Sequence, residues 1–508
     1  MYRNSKMVRP ISKEIYYGLT RSTCPECLKI IDAQIIVRDN KVYFDKFCPD
    51  HGKSRILVSS DIQWYDFCRN YQKANSVPLK IDKKAQRGCP HDCGICGQHR
   101  QHTGIVMFGV TNVCNINCPI CCVHNEDNWS LTYENAKKLI DTVTEREGKL
   151  EILSISGGEP TLHPQIIDII KYAKKNNVVR CCISSNGIRI ANDPEFAQQL
   201  AEAGAFVNLQ FDGFRPETYK IIRGDAAMYD IKMKAIENLK KYNVKTVLIP
   251  TIVEGLNDDE IGKIFDFAIK EKFISSIHIQ PLTHIGEGGE NFKFDPLNHV
   301  TVPDILTNIE KYFNYKIKRT DFVPEPCECF LTSYILKLEN QEPIPLQRLI
   351  NMSPYADKLQ NNMGLTKEDI SNFTKTVVKN LFFSNPEGQK NSLLSKAKYI
   401  KPLIKLGLEI NKIKMKYKDR AEEEVVKLLE DKVLLVNFHA MMDKYTFDQK
   451  RLMQCVHQWI TPDGKIYPFC SYGLFHSVNA KESIFSNMDP NTKVLAEETK
   501  NICNKFKL

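Results

Sequence analysis

The chain lacks any apolar run of about 18 residues, the length a membrane-crossing helix requires, so no transmembrane segment is expected. Residues Met1 to Thr20 are charged and contain no apolar h-region, which argues against secretion. Charge of one sign is also scarce. Seventy basic residues face 61 acidic ones, a net +9 that is too mild to mark a nucleic-acid binder, and no nucleic-acid partner is expected. The remaining composition, 42% hydrophobic and 26% charged, is that of soluble globular domains. At 508 residues the chain exceeds what one core usually supports, so two to four domains are expected. A cytoplasmic location follows as the expectation. In that reducing compartment, 18 cysteines point to metal rather than disulfides.

Hydrophobic periodicity gives six strand–helix units between Gly104 and about Leu282. Short β-branched runs near 104–110, 151–155, 178–183, 206–211, 245–250 and 275–280 read as strands buried on both faces. Alternating β and α units imply an α/β fold with a parallel sheet and right-handed crossovers; six units predict a partial (β/α)6 barrel. Seven cysteines lie within residues 1–103, so small metal modules are expected before the barrel. The expected division is a metal domain at 1–80, a cluster segment at 81–103, the barrel at 104–300 and an α-rich, cluster-binding C-terminal domain at 301–508.

Directly after the first strand, Thr111–Cys122 reads TNVCNINCPICC and places Cys114, Cys118 and Cys121 at C-x3-C-x2-C. Three thiolates on a four-iron cluster leave one iron open, whereas electron-transfer clusters normally have every iron held by protein. An open iron can bind the amino and carboxylate groups of S-adenosylmethionine; a structural zinc loop is the competing reading. Gly157-Gly158-Glu159-Pro160 follows the second strand and Ser184-Ser185-Asn186-Gly187 the third. Gln210 and Asp212 end the fourth, Thr251 follows the fifth, and Gln280 ends the sixth. All of these fall at C-terminal strand ends, where barrel active sites sit.

Strand by strand, these motifs resemble the radical S-adenosylmethionine (SAM) superfamily. The resemblance implies a [4Fe–4S] cluster on Cys114, Cys118 and Cys121, with reductive cleavage of SAM to a 5′-deoxyadenosyl radical. It also implies a reducing, ferredoxin-like electron donor. Gly157, Gly158, Glu159, Ser184, Asn186, Gln210, Asp212, Thr251 and Gln280 would then hold the cofactor.

The other cysteines form three sets. Cys24-Pro-Glu-Cys27 and Cys48-Pro-Asp-His51 are two knuckle-like turns suited to one tetrahedral metal. Its fourth ligand is Cys68 or His51; Cys68 is preferred and would suit iron, whereas His51 would favour zinc. Cys89, Cys93 and Cys96 repeat the C-x3-C-x2-C spacing and read as a first auxiliary [4Fe–4S] cluster. Related sequences carry a further cysteine after Gln-His-Thr; this chain has Gly104 there, and Cys122 is expected to replace the lost ligand. Cys327, Cys329, Cys455 and Cys470 form the last set, a second auxiliary cluster with zinc as the alternative. Cys181 and Cys182 are expected to be buried small residues, and Cys503 a free thiol.

Along nearly the whole chain this cysteine pattern resembles one radical subfamily, and within it the archaeal tetraether lipid synthases. That likeness implies an archaeal ether lipid as substrate, two of whose isoprenoid chains are joined through terminal methyl carbons. The alternative is C-methylation of a dihydropterin, which other relatives perform. Residues 391–420 carry nine basic against two acidic side chains, with Leu393, Ala397, Ile400, Ile404 and Leu408 near one helical face. A basic amphipathic element of this kind suits contact with anionic headgroups, and a solvated helix face is the plainer reading.

Overall fold

The computed structural model describes residues 13–71, 76–77, 79–81, 84–122, 128–325, 328–337, 342–348, 393–417, 421–477 and 491–507. Cys327 lies outside the described residues, as do residues 391–392 and 418–420 of the basic stretch.

The N-terminal sheet is an antiparallel meander of β1 (Ile15–Thr23), β2 (Ile30–Arg38), β3 (Lys41–Cys48) and β4 (Gly52–Ser59). Asp39 and Asn40, both at positive φ, turn β2 into β3. That mirror-image turn matches the twist of the strands, and Asp and Asn tolerate it best after glycine. One face of the meander buries Ala33, Ile35, Val42 and Phe44 against Tyr65 of α1 (Ile62–Asn70), whose first turn is capped by Asp61. The meander docks on the C-terminal part of the chain through buried polar contacts. Lys46 donates to the carbonyls of Thr23 and Tyr445, and the Thr20 hydroxyl bonds Asp448 at 2.7 Å.

The second sheet is mixed. Its centre is the expected parallel series: β5 (Ile105–Thr111), β6 (Leu150–Gly157), β7 (Val178–Ser185), β8 (Phe206–Gln210), β9 (Thr246–Ile249) and, past the short β10 (Thr251–Ile252), β11 (Ile274–Pro281). Helices α2 (Tyr133–Glu147), α3 (Ile166–Lys175), α4 (Ile188–Asn192), α5 (Pro194–Glu202), α6 (Pro216–Arg223), α7 (Met228–Lys241) and α8 (Ile261–Lys270) connect these strands. The sheet is wider than six strands, because the C-terminal region adds β12 (Val323–Pro324), β13 (Phe330–Leu336), β14 (Ile344–Pro345), β15 (Val433–His439), β16 (His457–Ile460) and β17 (Ile466–Pro468). Strands β15 and β16 lie parallel to β11 and β5 at the two edges; β13 and β17 then run antiparallel outside them. Residues 301–508, expected to be α-rich, therefore contribute strands to the central mixed sheet itself.

Side-chain alternation decides what each face does. In β7, Cys181 and Ile183 pack under the helices, while Arg180, Cys182 and Ser184 face inward. In β15, Leu434, Val436 and Phe438 pack outward, while Val433, Leu435, Asn437 and His439 face inward. The inward set lines a single cavity of about 1740 Å³, so the sheet curls around it. Its edges approach one another where His439, stacked on Phe330, comes within 5.2 Å of His457, ring centre to ring centre.

Candidate active site and metal centres

Cys114, Cys118 and Cys121 sit on the loop that leaves β5, and all three line the C-terminal mouth of the cavity. The loop is held from several sides. The Gly288 N–H donates to the Cys121 carbonyl at 3.0 Å, and Asn186 Nδ2 donates to Asn115 at 2.8 Å. From the C-terminal helix Asn491–Lys505, Phe506 accepts a hydrogen bond from Asn115 at 2.8 Å, and Cys503 packs with Val113 and Leu162. Burial, with Glu159 nearby, pushes the Cys114 thiol up.

The GGEP segment lies directly beneath. Gly157 has φ +132, and an added Cβ there would meet Thr111 O at 2.0 Å; at Gly158 it would meet Asn112 O and Val113 O at 2.5 Å. Only glycine lets the backbone of β6 press this closely on the cysteine loop. Glu159, expected to face the cofactor, lines the cavity, and its carboxylate is 1% exposed and hydrogen-bonded within the protein. It accepts from Thr161 Oγ1 at 2.5 Å, Ser185 Oγ at 2.9 Å and Asn186 N at 2.7 Å, tying the β6 end to the β7 end.

The other expected cofactor residues divide in two. Ser184, Asn186, Gln210, Thr251 and Gln280 line the cavity, and Gln210 Oε1 is buried without a hydrogen-bond partner. Asp212 is fully buried and takes Arg223 through a two-point contact at 2.7 and 2.9 Å. The Arg223 guanidinium reaches the cavity beside Cys118. Sequence reasoning missed Arg223; the only signal is an arginine at the end of the helix that follows a strand-end aspartate. Lys232, fully buried and bonded to the Asn186 carbonyl, is lowered to about 8 by burial and then by Arg223. Three soft thiol donors at an open mouth and an unpartnered amide oxygen on its wall fit a [4Fe–4S] cluster with SAM beside it. When bound, the pair supplies one-electron cleavage of SAM to a 5′-deoxyadenosyl radical.

The N-terminal quartet is Cys24, Cys27, Cys48 and His51, whose ligand atoms all lie within 4.8 Å of one another. His51 Nδ1 is 3.6 Å from both Cys24 Sγ and Cys48 Sγ, and its hydrogen bond lowers the Cys48 thiol. His51 therefore completes this site, and the preference for Cys68 is corrected. Cys68 is buried in the core beside Trp64 on α1, where burial pushes its thiol up and away from ligation. Cys48-x-x-His51 carried the signal in its spacing. Three thiols with one imidazole suit zinc.

Cys89, Cys93 and Cys96 share one small recess with His99 and Leu452. Asp92 shapes the loop by accepting the backbone N–H groups of Gln86, Arg87 and Gly88. The Cys93 thiol is held down by its hydrogen bond with Cys89 and then by His476 and Ser471. Cys122 is not in this recess. It lies on the main cavity with Arg223 as its charged neighbour, so its assignment to the auxiliary set is corrected. Adjacency to Cys121 fixes it on the radical loop. Burial and then Cys470 and Cys329 raise the Cys455 thiol, burial with Cys329 nearby raises that of Cys470, and Cys470 shares a buried cluster with Cys93. Cys181 lies in the core and Cys182 faces the cavity.

Residues 108–268 match the Radical SAM superfamily, and residues 16–60 match the HMPTM N-terminal zinc ribbon domain. The chain is 29% identical to a 7,8-dihydro-6-hydroxymethylpterin dimethyltransferase of Methanocaldococcus jannaschii, over 91% of this chain and 94% of that protein. It is 33% identical to a probable GTP 3′,8-cyclase of Thermococcus kodakarensis over 32% of this chain and 53% of that one. Streptococcus suis SuiB bound to S-adenosylmethionine aligns over 42% of this chain and 47% of its own, at 15% identity and a TM-score of 0.36. The likeness to a tetraether lipid synthase is not among these findings; a relative that matches along the chain carries a pterin name. With a zinc-ribbon module before it and a stretch at its centre that matches the Radical SAM superfamily, the chain is a radical SAM enzyme.

Proposed function

We propose that the protein methylates carbon on a dihydropterin, with SAM and reductant supplying both the radical drawn at the Cys114–Cys121 loop, which takes up the substrate hydrogen, and the methyl group that replaces it. The observation that supports this reading best is the chain-long similarity to a dihydropterin dimethyltransferase, ribbon included. The cavity wall offers matching chemistry. Glu325, pushed up to about 8 by burial, is protonated at neutral pH and presents both a donor and an acceptor, as a pterin amide edge requires. Asn208 and Asn437 also line the cavity. In this reading Cys114, Cys118 and Cys121 hold the radical cluster. Gly157, Gly158, Ser184, Asn186, Gln210, Thr251 and Gln280 hold SAM; Asp212 acts through Arg223, and Glu159 braces the loop. Cys89, Cys93 and Cys96 hold one auxiliary cluster, and Cys329, Cys455 and Cys470 belong to another.

Coupling of two isoprenoid chains is the second reading, favoured by the size and lining of the cavity. At about 1740 Å³ it far exceeds a pterin, and Phe206, Val247, Leu336, Ile410 and Leu435 line it away from the cysteines. One experiment separates the two. The reconstituted enzyme is given SAM and reductant with either 7,8-dihydro-6-hydroxymethylpterin or an isoprenoid ether lipid deuterated at its terminal methyls. Methylation adds one CH₂ to the pterin mass per transfer. Coupling instead moves deuterium into 5′-deoxyadenosine, forms two of these per new bond, and yields a product two hydrogens lighter than its parts. An unchanged pterin beside a coupled lipid replaces the first reading with the second.

A further inference from the structure

The cavity does not stop at the cofactor end. Its wall continues past the N-terminal ends of the strands, where Lys149, Lys174 and Lys245 line it together with Leu406 and Ile410 of the helix Leu393–Tyr417. Among the described residues, the rim at this far end carries apolar side chains exposed to water. Val77 and Leu79 line the cavity yet remain 73% and 70% exposed, and Val179 is 42% exposed. On the helix, Leu408, next to the lining residue Gly407, is 57% exposed, with Lys405 and Lys412 exposed nearby. Water-facing apolar side chains around a cavity mouth, ringed by lysines, carry a cost in solution that an amphiphilic surface removes. Acidic groups offset part of the ring: Asp431 pairs with Lys245, Glu151 faces His102 at 3.5 Å, and Glu147 is buried on the same lining with its carboxyl raised by that burial. Lys149 and Lys174 stay exposed, the latter donating to the Val179 carbonyl at 2.9 Å.

We propose that this far mouth is a docking face for an anionic bilayer. Val77, Leu79, Val179 and Leu408 enter the headgroup boundary, the lysines meet lipid phosphates, and the cavity opens toward the acyl region. Among the described residues no helix is long and apolar enough to cross a membrane, so the contact is peripheral. The docking face does not depend on which carbon the radical attacks, and it would admit an apolar chain from the end opposite the cysteines.

The test uses the full reconstituted chain and vesicles of phosphatidylcholine with or without phosphatidylglycerol. Co-sedimentation is expected with the anionic vesicles only and should fall as salt rises. The double variant V77D/L79D, and separately L408D, should lose at least tenfold in partition. K149E/K174E should lose about fivefold for each charge. Iron content and 5′-deoxyadenosine formation in buffer should match the wild type, showing that the fold is intact. Equal binding to neutral vesicles, no binding, or undiminished binding by the variants overturns the proposal. So does a concentration-dependent dimer, by sedimentation equilibrium, that V77D/L79D abolishes. Docking with no product from either substrate would instead count against the proposed reaction alone.

Discussion

At the ribbon, three cysteines and a histidine converge on one point, while at the radical loop three cysteines spread along the mouth of a large cavity. The ribbon ligands come from two knuckles separated by paired strands, so the metal is enclosed by protein donors and its contribution is to folding. The radical loop hangs from a single strand end and depends on glycines, Glu159 and the C-terminal helix to hold its shape. A closed set leaves nothing to react; an open set needs an elaborate support, and the chain spends far more buried polar contacts on the second. Asp212 with Arg223, Lys232 with Asn186, and Glu159 with Ser185 all brace that one mouth.

The sharpest break comes from changing Cys114, Cys118 and Cys121 together to Ala. This should abolish 5′-deoxyadenosine formation and remove about four irons while leaving zinc in place, as checked by chromatography and metal analysis. Next in size, Asp212→Asn leaves the buried Arg223 uncompensated. A loss of roughly 3–5 kcal/mol of stability is expected in chemical denaturation, with weaker SAM binding because Arg223 no longer faces Cys118 squarely.

The comparison also shows what the sequence could reveal. The six parallel strands were legible because strands buried on both faces read as short β-branched runs, and their ends carried the motifs in order. The widening of the sheet was not. β12 and β14 are two residues long, below any period, and β13 and β15 pair across about a hundred residues of chain; the β16–β17 hairpin alone was signalled, by the turn residues Pro462-Asp463-Gly464 between short strands. Cys122 misled because an extra cysteine beside a motif looks like a spare ligand, although its backbone neighbour ties it to the radical loop. Arg223, His439, His457 and the neighbouring His278 on β11 escaped because isolated polar residues in strands and helices announce nothing until the sheet brings them to the cavity.

A smaller effect sharpens the ribbon side. His51→Ala should lose zinc from the N-terminal module, whereas Cys68→Ala should keep it and cost only the small cavity of a deleted thiol, about 1 kcal/mol. Zinc retained by His51→Ala and lost by Cys68→Ala would reverse the ligand assignment. Last comes a graded pH effect at the cavity wall, read as a slope and not as a single loss. Burial raises the Glu325 carboxyl to about 8, above its ordinary value of 4.5, so the protonated form is the one the fold favours. Its contribution is complete below about pH 4.5 and is lost as pH rises toward 8. Glu325→Gln should flatten that decline in a pH series of thermal melts.

The open coordination position at the Cys114–Cys121 loop is the feature on which the contrast rests. Electron–nuclear double resonance on the reduced enzyme, with SAM labelled with ¹⁵N at its amino group, reads it directly. A ¹⁵N hyperfine coupling to the cluster in the wild type, absent from the triple Cys→Ala variant, is the predicted result. A reduced cluster that shows no coupling to the labelled nitrogen while SAM is bound would contradict the account.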